Sequence, residues 1–343
     1  MRTLIGRVVV VALGTALLSG VAPGAAQLAG GNGAPAPGCP VGPQSSMAPS
    51  FVTDVVPLPT GVHVVSNKVN VILPAGYCTS GQRYPVLYLL HGAGDTYGAW
   101  ESNTDIKQYL TSNPSAYPFI VVMPDDGANA EAGWYTNWYD GEWQYETYDI
   151  AVLQSFVNTT YATLPDHIGV AGLSMGGFGA LSYAARHPHM FKVAASFSGA
   201  VDTLYGAPVS GVAFTELHSM YGTPDDAVWG NQVTNRANWA AHDPATLAPD
   251  LAGTTILLAS GTGTPGGAQG DALDPTGDFN PGGYFLENAI FQMNLSLVRS
   301  LTLAHVPYIS NFYPGGYHGW PYWQADLHWA LPYIKAALGS PHS

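Results

Sequence analysis

The sequence predicts an α/β fold, with a mostly parallel central sheet flanked by helices on both faces. Three observations predict it. Six apolar runs of strand length lack the in-and-out alternation of a half-solvated sheet, so both of its faces are expected to be covered. Segments with helical spacing lie between those runs, which implies right-handed strand-helix-strand crossovers. Glycine-rich turns then fall at the carboxyl ends of several runs, where open sheets of this kind bind ligands.

The first residues stand apart. Arg2 and Arg7 precede an unbroken apolar run from Val8 to Leu18 and then small residues through Ala26. This pattern predicts a secretory signal peptide over 1–26, its apolar part too short to cross a bilayer. The mature protein is therefore expected to be secreted, extracellular or held at the cell envelope, with no stable membrane insertion. Residues 27–50 are rich in Gly, Ala and Pro and are expected to form a flexible segment. Residues 51–343 are expected to form one domain. Losing Arg2 and Arg7 with the leader moves the formal charge from -13 to -15. Such a chain repels phosphate backbones, which excludes a nucleic-acid partner. The two cysteines, Cys39 and Cys78, are expected to pair in an exported protein.

The strand runs follow in order. "FVTDVV" and "GVHVVSNKVNVILP" suit an antiparallel pair at the sheet edge. "YPVLYLL" (84–90), "FIVVMP" (119–124), "HIGVAGL" (167–173), "FKVAASFS" (191–198), "TTILLAS" (254–260) and "YISNFY" (308–313) are the parallel strands. Helices are expected over 176–187, over 285–304 with Ile290, Met293, Leu297 and Leu301 on one face, and over 323–338.

Gly172-Leu173-Ser174-Met175-Gly176 fits G-x-S-x-G after a strand and before a helix, the context of a nucleophile elbow. A turn this sharp needs neighbours without Cβ atoms and exposes the serine oxygen above the sheet. A serine hydroxyl is a weak nucleophile, so it needs a base held by a third group, in the chain order Ser, acid, His. His318 lies in "GGYHGWPYW", a glycine-rich loop after the last strand, and is the expected base. His187, His189 and His218 also follow Ser174 but occupy no such loop. The fold alone directs the search for the acid to Asp271, Asp274 and Asp278, just after "TTILLAS". One oxyanion donor is expected to be the Met175 amide, and the second comes from Gly92 or Ala93 in the loop after the first parallel strand.

Together "YLLHGAGDTYGAW", "VVMPDDG", "NWYDGEWQYETY", "GLSMGG", "YFLENAIF" and "NFYPGGYHGWPYW" resemble the antigen 85 mycolyltransferases and their esterase relatives within the α/β-hydrolases. The resemblance implies an α/β-hydrolase fold from about Phe51 onward. It places the triad acid at Glu287, in a phrase that looks like the family's "FLEN", and favours Ala93 as the second oxyanion donor. It also puts Trp320 at a position that lines the acceptor site. The trehalose-binding members carry an acid before the oxyanion-loop glycine and an arginine after the donor, whereas this chain has His91 and Gly94. Water thus becomes the expected acceptor.

The segment "GWYTNWYDGEWQYETYD" suits either an apolar yet wet groove or a helix packed on the sheet. The acidic pairs Asp125-Asp126 and Asp225-Asp226 read as solvated loops. No metal-binding, redox or phosphate-loop phrase occurs, so no metal and no cofactor is expected. The expectation is a secreted serine esterase that cleaves small-molecule, lipid or sugar esters through an acyl-enzyme. An antigen 85-type acyltransferase moving an acyl group to a sugar or glycerol, and an inert surface-binding protein on the same fold, are the alternatives.

Overall fold

Apolar continuity dictates where the strands fall, because a sheet covered on both faces needs side chains that tolerate burial on either side. The computed structural model describes residues 36–39, 49–113, 117–127, 132–206, 226–265 and 280–343. The expected leader, most of 27–50, His218, Asp225 and Asp271, Asp274 and Asp278 lie outside the described residues. The strands are β1 (Ser50–Val55), β2 (Lys68–Leu73), β3 (Tyr84–Leu90), β4 (Ile120–Pro124), β5 (Thr163–Leu173), β6 (Phe191–Phe197), β7 (Thr255–Gly261) and β8 (Tyr308–Tyr313). They form one sheet in the order β1-β2-β4-β3-β5-β6-β7-β8. β1 pairs antiparallel with β2, and β2 antiparallel with β4, as expected for an edge pair. From β4 to β8 every pairing is parallel. β5 begins four residues earlier than its apolar run, because Thr163 pairs with Tyr84 before a shift in register at Val86 and Ile168.

Helices cover both faces. On one side Leu87, Leu89, Ala171, Leu173, Val193 and Phe197 pack against Ile106 and Leu110 of α1 (Ile106–Ser112), with a long C-terminal helix beside them. On the other, Val86, Tyr88, Leu90 and Val170 pack toward α2 (Gln154–Thr160), α3 (Met175–Arg186) and α4 (Pro281–Leu303). The C-terminal helix is α5 (Trp320–Leu338), which buries Trp323, Leu327, Leu331 and Ile334. Each fully buried aliphatic side chain stabilises this arrangement by roughly 2 kcal/mol. The architecture is an α/β-hydrolase fold, a mixed sheet of eight strands flanked by helices.

Residues 36–39, inside the stretch expected to be flexible, are docked. Cys39 is joined to Cys78, with their Cα atoms 5.8 Å apart. The Tyr77 hydroxyl donates to the Pro37 carbonyl at 2.7 Å. Gly38 has φ 76 and sits against the Tyr161 ring, which a Cβ would approach to 2.4 Å. The disulfide spans 39 positions, and on the chain-entropy model a loop of that length contributes about 4 kcal/mol. Among the described residues, no helix is long and apolar enough to cross a membrane.

Candidate active site

The elbow is built by close approach. A Cβ at Gly172 would stand 2.4 Å from the Gly176 carbonyl oxygen, and one at Gly176 would meet the His91 and Leu90 carbonyls at 2.6 Å. Only glycine lets strand β5 and helix α3 come this near. Between them Ser174 takes φ 52 and ψ -118, a conformation that costs a non-glycine residue energy and persists because its surroundings enforce it. Its amide is pinned to the Phe197 carbonyl at 2.9 Å. The hydroxyl therefore projects above the carboxyl ends of the strands, beside the positive end of α3.

His318 and Glu287 complete a chain of hydrogen bonds. The Ser174 hydroxyl lies 2.8 Å from His318 Nε2, and His318 Nδ1 lies 2.8 Å from Glu287 Oε2. Glu287 is 1% exposed. Its Oε1 accepts from the Ser198 hydroxyl at 2.8 Å and from the Gly261 amide at 2.8 Å, with the Ser260 hydroxyl at 3.0 Å. Acceptor-only oxygens facing four donors suit an ionised carboxylate. Glu287 sits near the start of α4, which is capped by the Asn280 side chain accepting from the Gly283 amide. The Gly283 carbonyl in turn accepts from the His318 amide at 3.0 Å, tying the histidine loop to that helix start. The Trp323 ring meets the imidazole edge to face, 4.9 Å between centroids.

These residues border a cavity of about 80 Å³ lined by Ala93, Met175, Trp134, Leu286, Ile290 and Trp323 together with Ser174 and His318. Trp320 is absent from that lining and packs edge to face on Trp100 and Trp323, 5.3 Å from each. The aromatic segment divides between its two readings. Trp134 reaches the cavity, whereas Trp138, Tyr145 and Tyr148 are core and Tyr139 is exposed. His187 is engaged with Glu146 at 2.8 Å, far from this chemistry in role.

Three residues at the site were not singled out from sequence. Ser198 and Ser260 follow or end strands β6 and β7 and hold Glu287; their signal is a serine just before a glycine at a strand's carboxyl end. Asp95, in the loop after β3, lines the cavity, and burial pushes its carboxyl up to about 6 against a hydrogen bond from Gly92. Among the described residues no group of three or more His, Cys, Asp or Glu side chains is placed to hold a metal ion.

Asp125 and Asp126 correct the expectation of a solvated loop, being 1% and 0% exposed. The chain leaving β4 turns inward beneath the loop after β3, where the Tyr97 amide lies 3.5 Å from Asp125 Oδ2 and the Asp126 amide donates to His91 Nε2 at 2.9 Å. Asp126 Oδ2 accepts from the Tyr135 amide at 2.9 Å. Asp226 is exposed, as expected. Asp149 belongs to the same buried acidic region. It accepts from the Tyr183 hydroxyl at 2.9 Å, and burial, reinforced by the charges of Asp125 and Glu146, pushes it up to about 8. A raised carboxyl pKa makes the folded state hold a proton that the unfolded chain has already lost. Stability from Asp149 is thus complete below about pH 4 and is lost as pH rises toward 8. Melting temperatures at pH 5 and pH 8.5 are expected to differ less in Asp149→Asn than in the wild type, with the variant gaining most at the higher pH.

The family model described as "Putative esterase" matches residues 65–334. An esterase of Mycobacterium tuberculosis is 32% identical over 262 residues, 73% of this chain and 52% of that protein, so the chain spans about half the length of this relative. The diacylglycerol acyltransferase/mycolyltransferase Ag85A of Mycobacterium ulcerans is 28% identical over 284 residues, 76% of each chain. The crystal structure of MPT51 from Mycobacterium tuberculosis superposes with a TM-score of 0.64 at 23% identity, over 84% of this chain and 99% of that one, a likeness of fold.

Proposed function

The chain belongs to the esterase family, and on that footing we propose that it is an exported serine esterase that hydrolyses carboxylic esters through an acyl-enzyme. The observation that carries this reading is the unbroken hydrogen-bond chain from Ser174 through His318 to Glu287 at the edge of a cavity. In the proposed cycle Ser174 Oγ bonds to the ester carbonyl carbon while His318 Nε2 takes its proton. The oxyanion is held by the amides of Met175 and Ala93, both bordering the cavity. Collapse breaks the bond to the alcohol, which leaves with the proton from His318. Water, deprotonated by the same nitrogen, then releases the carboxylic acid and restores the serine. Glu287 keeps the imidazole in the Nδ1–H tautomer and offsets its transient positive charge.

Hydrolysis is favoured over acyl transfer by the acceptor side. At the positions where the trehalose-binding members carry an acid and an arginine, His91 is 1% exposed, with its ring in the core, and Gly94 has no side chain. A cavity of about 80 Å³ favours short acyl groups. The disulfide supports export, since such bonds persist in oxidising compartments. p-Nitrophenyl acetate and palmitate, each offered with and without trehalose or glycerol, test this reading. Faster turnover of the acetate, with free acid as product in all mixtures, is expected. An acylated sugar or glyceride as main product would instead establish the acyltransferase reading.

A further inference from the structure

The loop between β3 and the cavity runs through His91, Gly92 and Ala93, and both ring nitrogens of His91 are engaged inside the protein. The Asp126 amide lies 2.9 Å from Nε2. An amide can only donate, so Nε2 carries the lone pair and the ring proton sits on Nδ1. That Nδ1–H donates to the Gly92 carbonyl oxygen at 2.7 Å. Burial keeps the ring neutral, lowering its pKa to about 4 against the Gly92 bond, so Asp125, 3.9 Å from Nε2, forms no ion pair with it at neutral pH.

The C=O and N–H of one trans peptide point in opposite directions. Holding the Gly92 carbonyl toward the imidazole therefore turns the Ala93 N–H to the other side, and Gly92 and Ala93 line the cavity beside Ser174. The Asp95 amide accepts none of this burden alone, donating to the same carbonyl at a longer 3.3 Å. The imidazole's own frame is held by Tyr135, whose hydroxyl donates to the His91 carbonyl at 3.0 Å and whose amide donates to Asp126 Oδ2 at 2.9 Å. Trp134 and Tyr135 pay for this with successive left-handed conformations, φ 57 and 49, of the kind retained where a site requires them.

We infer that His91 is a positioning residue whose buried imidazole, braced by Asp126 and Tyr135, fixes the Gly92–Ala93 peptide so that the Ala93 amide faces the developing oxyanion. The inference rests on the esterase reading above. Its test compares His91→Leu, which fills the space without a donor, with His91→Asn, whose amide nitrogen can take the place of Nδ1. On p-nitrophenyl acetate the leucine variant is expected to lose about 100-fold in kcat, the effect of one oxyanion donor, with KM little changed. Affinity for a trifluoromethyl ketone, whose adduct with Ser174 places an oxyanion in the hole, falls by a similar factor, and the asparagine variant recovers most of both. A folded leucine variant with unchanged kcat, or with its loss confined to KM, would overturn the inference. Nitrogen-15 NMR of wild-type His91 decides without activity, even if the leucine variant does not fold: a proton on Nδ1 that persists between about pH 5 and 8 is expected, and a proton on Nε2 overturns the clamp. A wild-type protein that shows this tautomer yet turns over no ester sinks the esterase reading and leaves the clamp standing.

Discussion

Ser174→Ala is expected to lower kcat for p-nitrophenyl acetate by a factor on the order of 10⁵ to 10⁶, with KM and melting temperature almost unchanged. The size follows from removing the atom that, in the proposed cycle, bonds to the acyl group. The selectivity follows from the surroundings. Ser174 owes its conformation to the Gly172 and Gly176 approaches and to the Phe197 carbonyl, none of which involves its side chain. The lost hydroxyl gives up one hydrogen bond, to His318. What activity survives comes from the oxyanion donors and from binding, which water attack can still use. Steady-state kinetics and thermal denaturation of the two proteins check both halves of the statement.

Glu287→Gln is expected to lower kcat by about 10⁴-fold and, unlike the serine variant, to reduce stability by about 1–3 kcal/mol. A glutamine amide has one acceptor oxygen for two crowded positions. With its oxygen toward Gly261 and Ser198, its NH2 meets the Nδ1–H of His318, donor against donor. The imidazole then shifts its proton to Nε2, where it cannot accept from Ser174. In the opposite orientation the NH2 faces the Gly261 amide and two hydroxyls in a space that is 1% exposed, leaving buried donors unpaired. Glu287→Asp keeps the charge but draws the oxygens back by one methylene, and is expected to fall between wild type and the glutamine variant. Measuring kcat and the chemical denaturation midpoint for the three proteins separates the catalytic from the structural part.

Continuous apolar strands made most of the fold legible, since "YPVLYLL" and "YISNFY" coincide with β3 and β8 at both ends. β5 was read short because Thr163 to Asp166 carry two polar residues, and its extension depends on pairing with Tyr84, a partner about 80 positions away. Ser174 and His318, joined by a hydrogen bond in the structure, were legible as a candidate pair from local glycine patterns. Glu287 was not, except through resemblance. The fold rule directs attention to the loop after β7, whereas this carboxylate comes from the second turn of α4 and reaches back over Gly261. Burial of Asp125 and Asp126 was hidden for a similar reason. Two adjacent acids look solvated until the distant Tyr97 and Tyr135 amides that donate to them, and the His91 ring that accepts from the Asp126 amide, are in place. Trp320 and Trp323 share one helix turn, and only the packing on Trp100 shows that the second borders the cavity while the first stands behind it.

In the proposed cycle an acyl group resides on Ser174 during turnover. Rapid acid quenching of the enzyme mixed with p-nitrophenyl butyrate, followed by peptide mass spectrometry, tests it most directly. One butyryl group is expected on the peptide carrying Ser174, accumulating in step with the first release of p-nitrophenol and absent from Ser174→Ala. Ester cleavage at wild-type rate in that variant, or an acyl group found on a different residue, would contradict it.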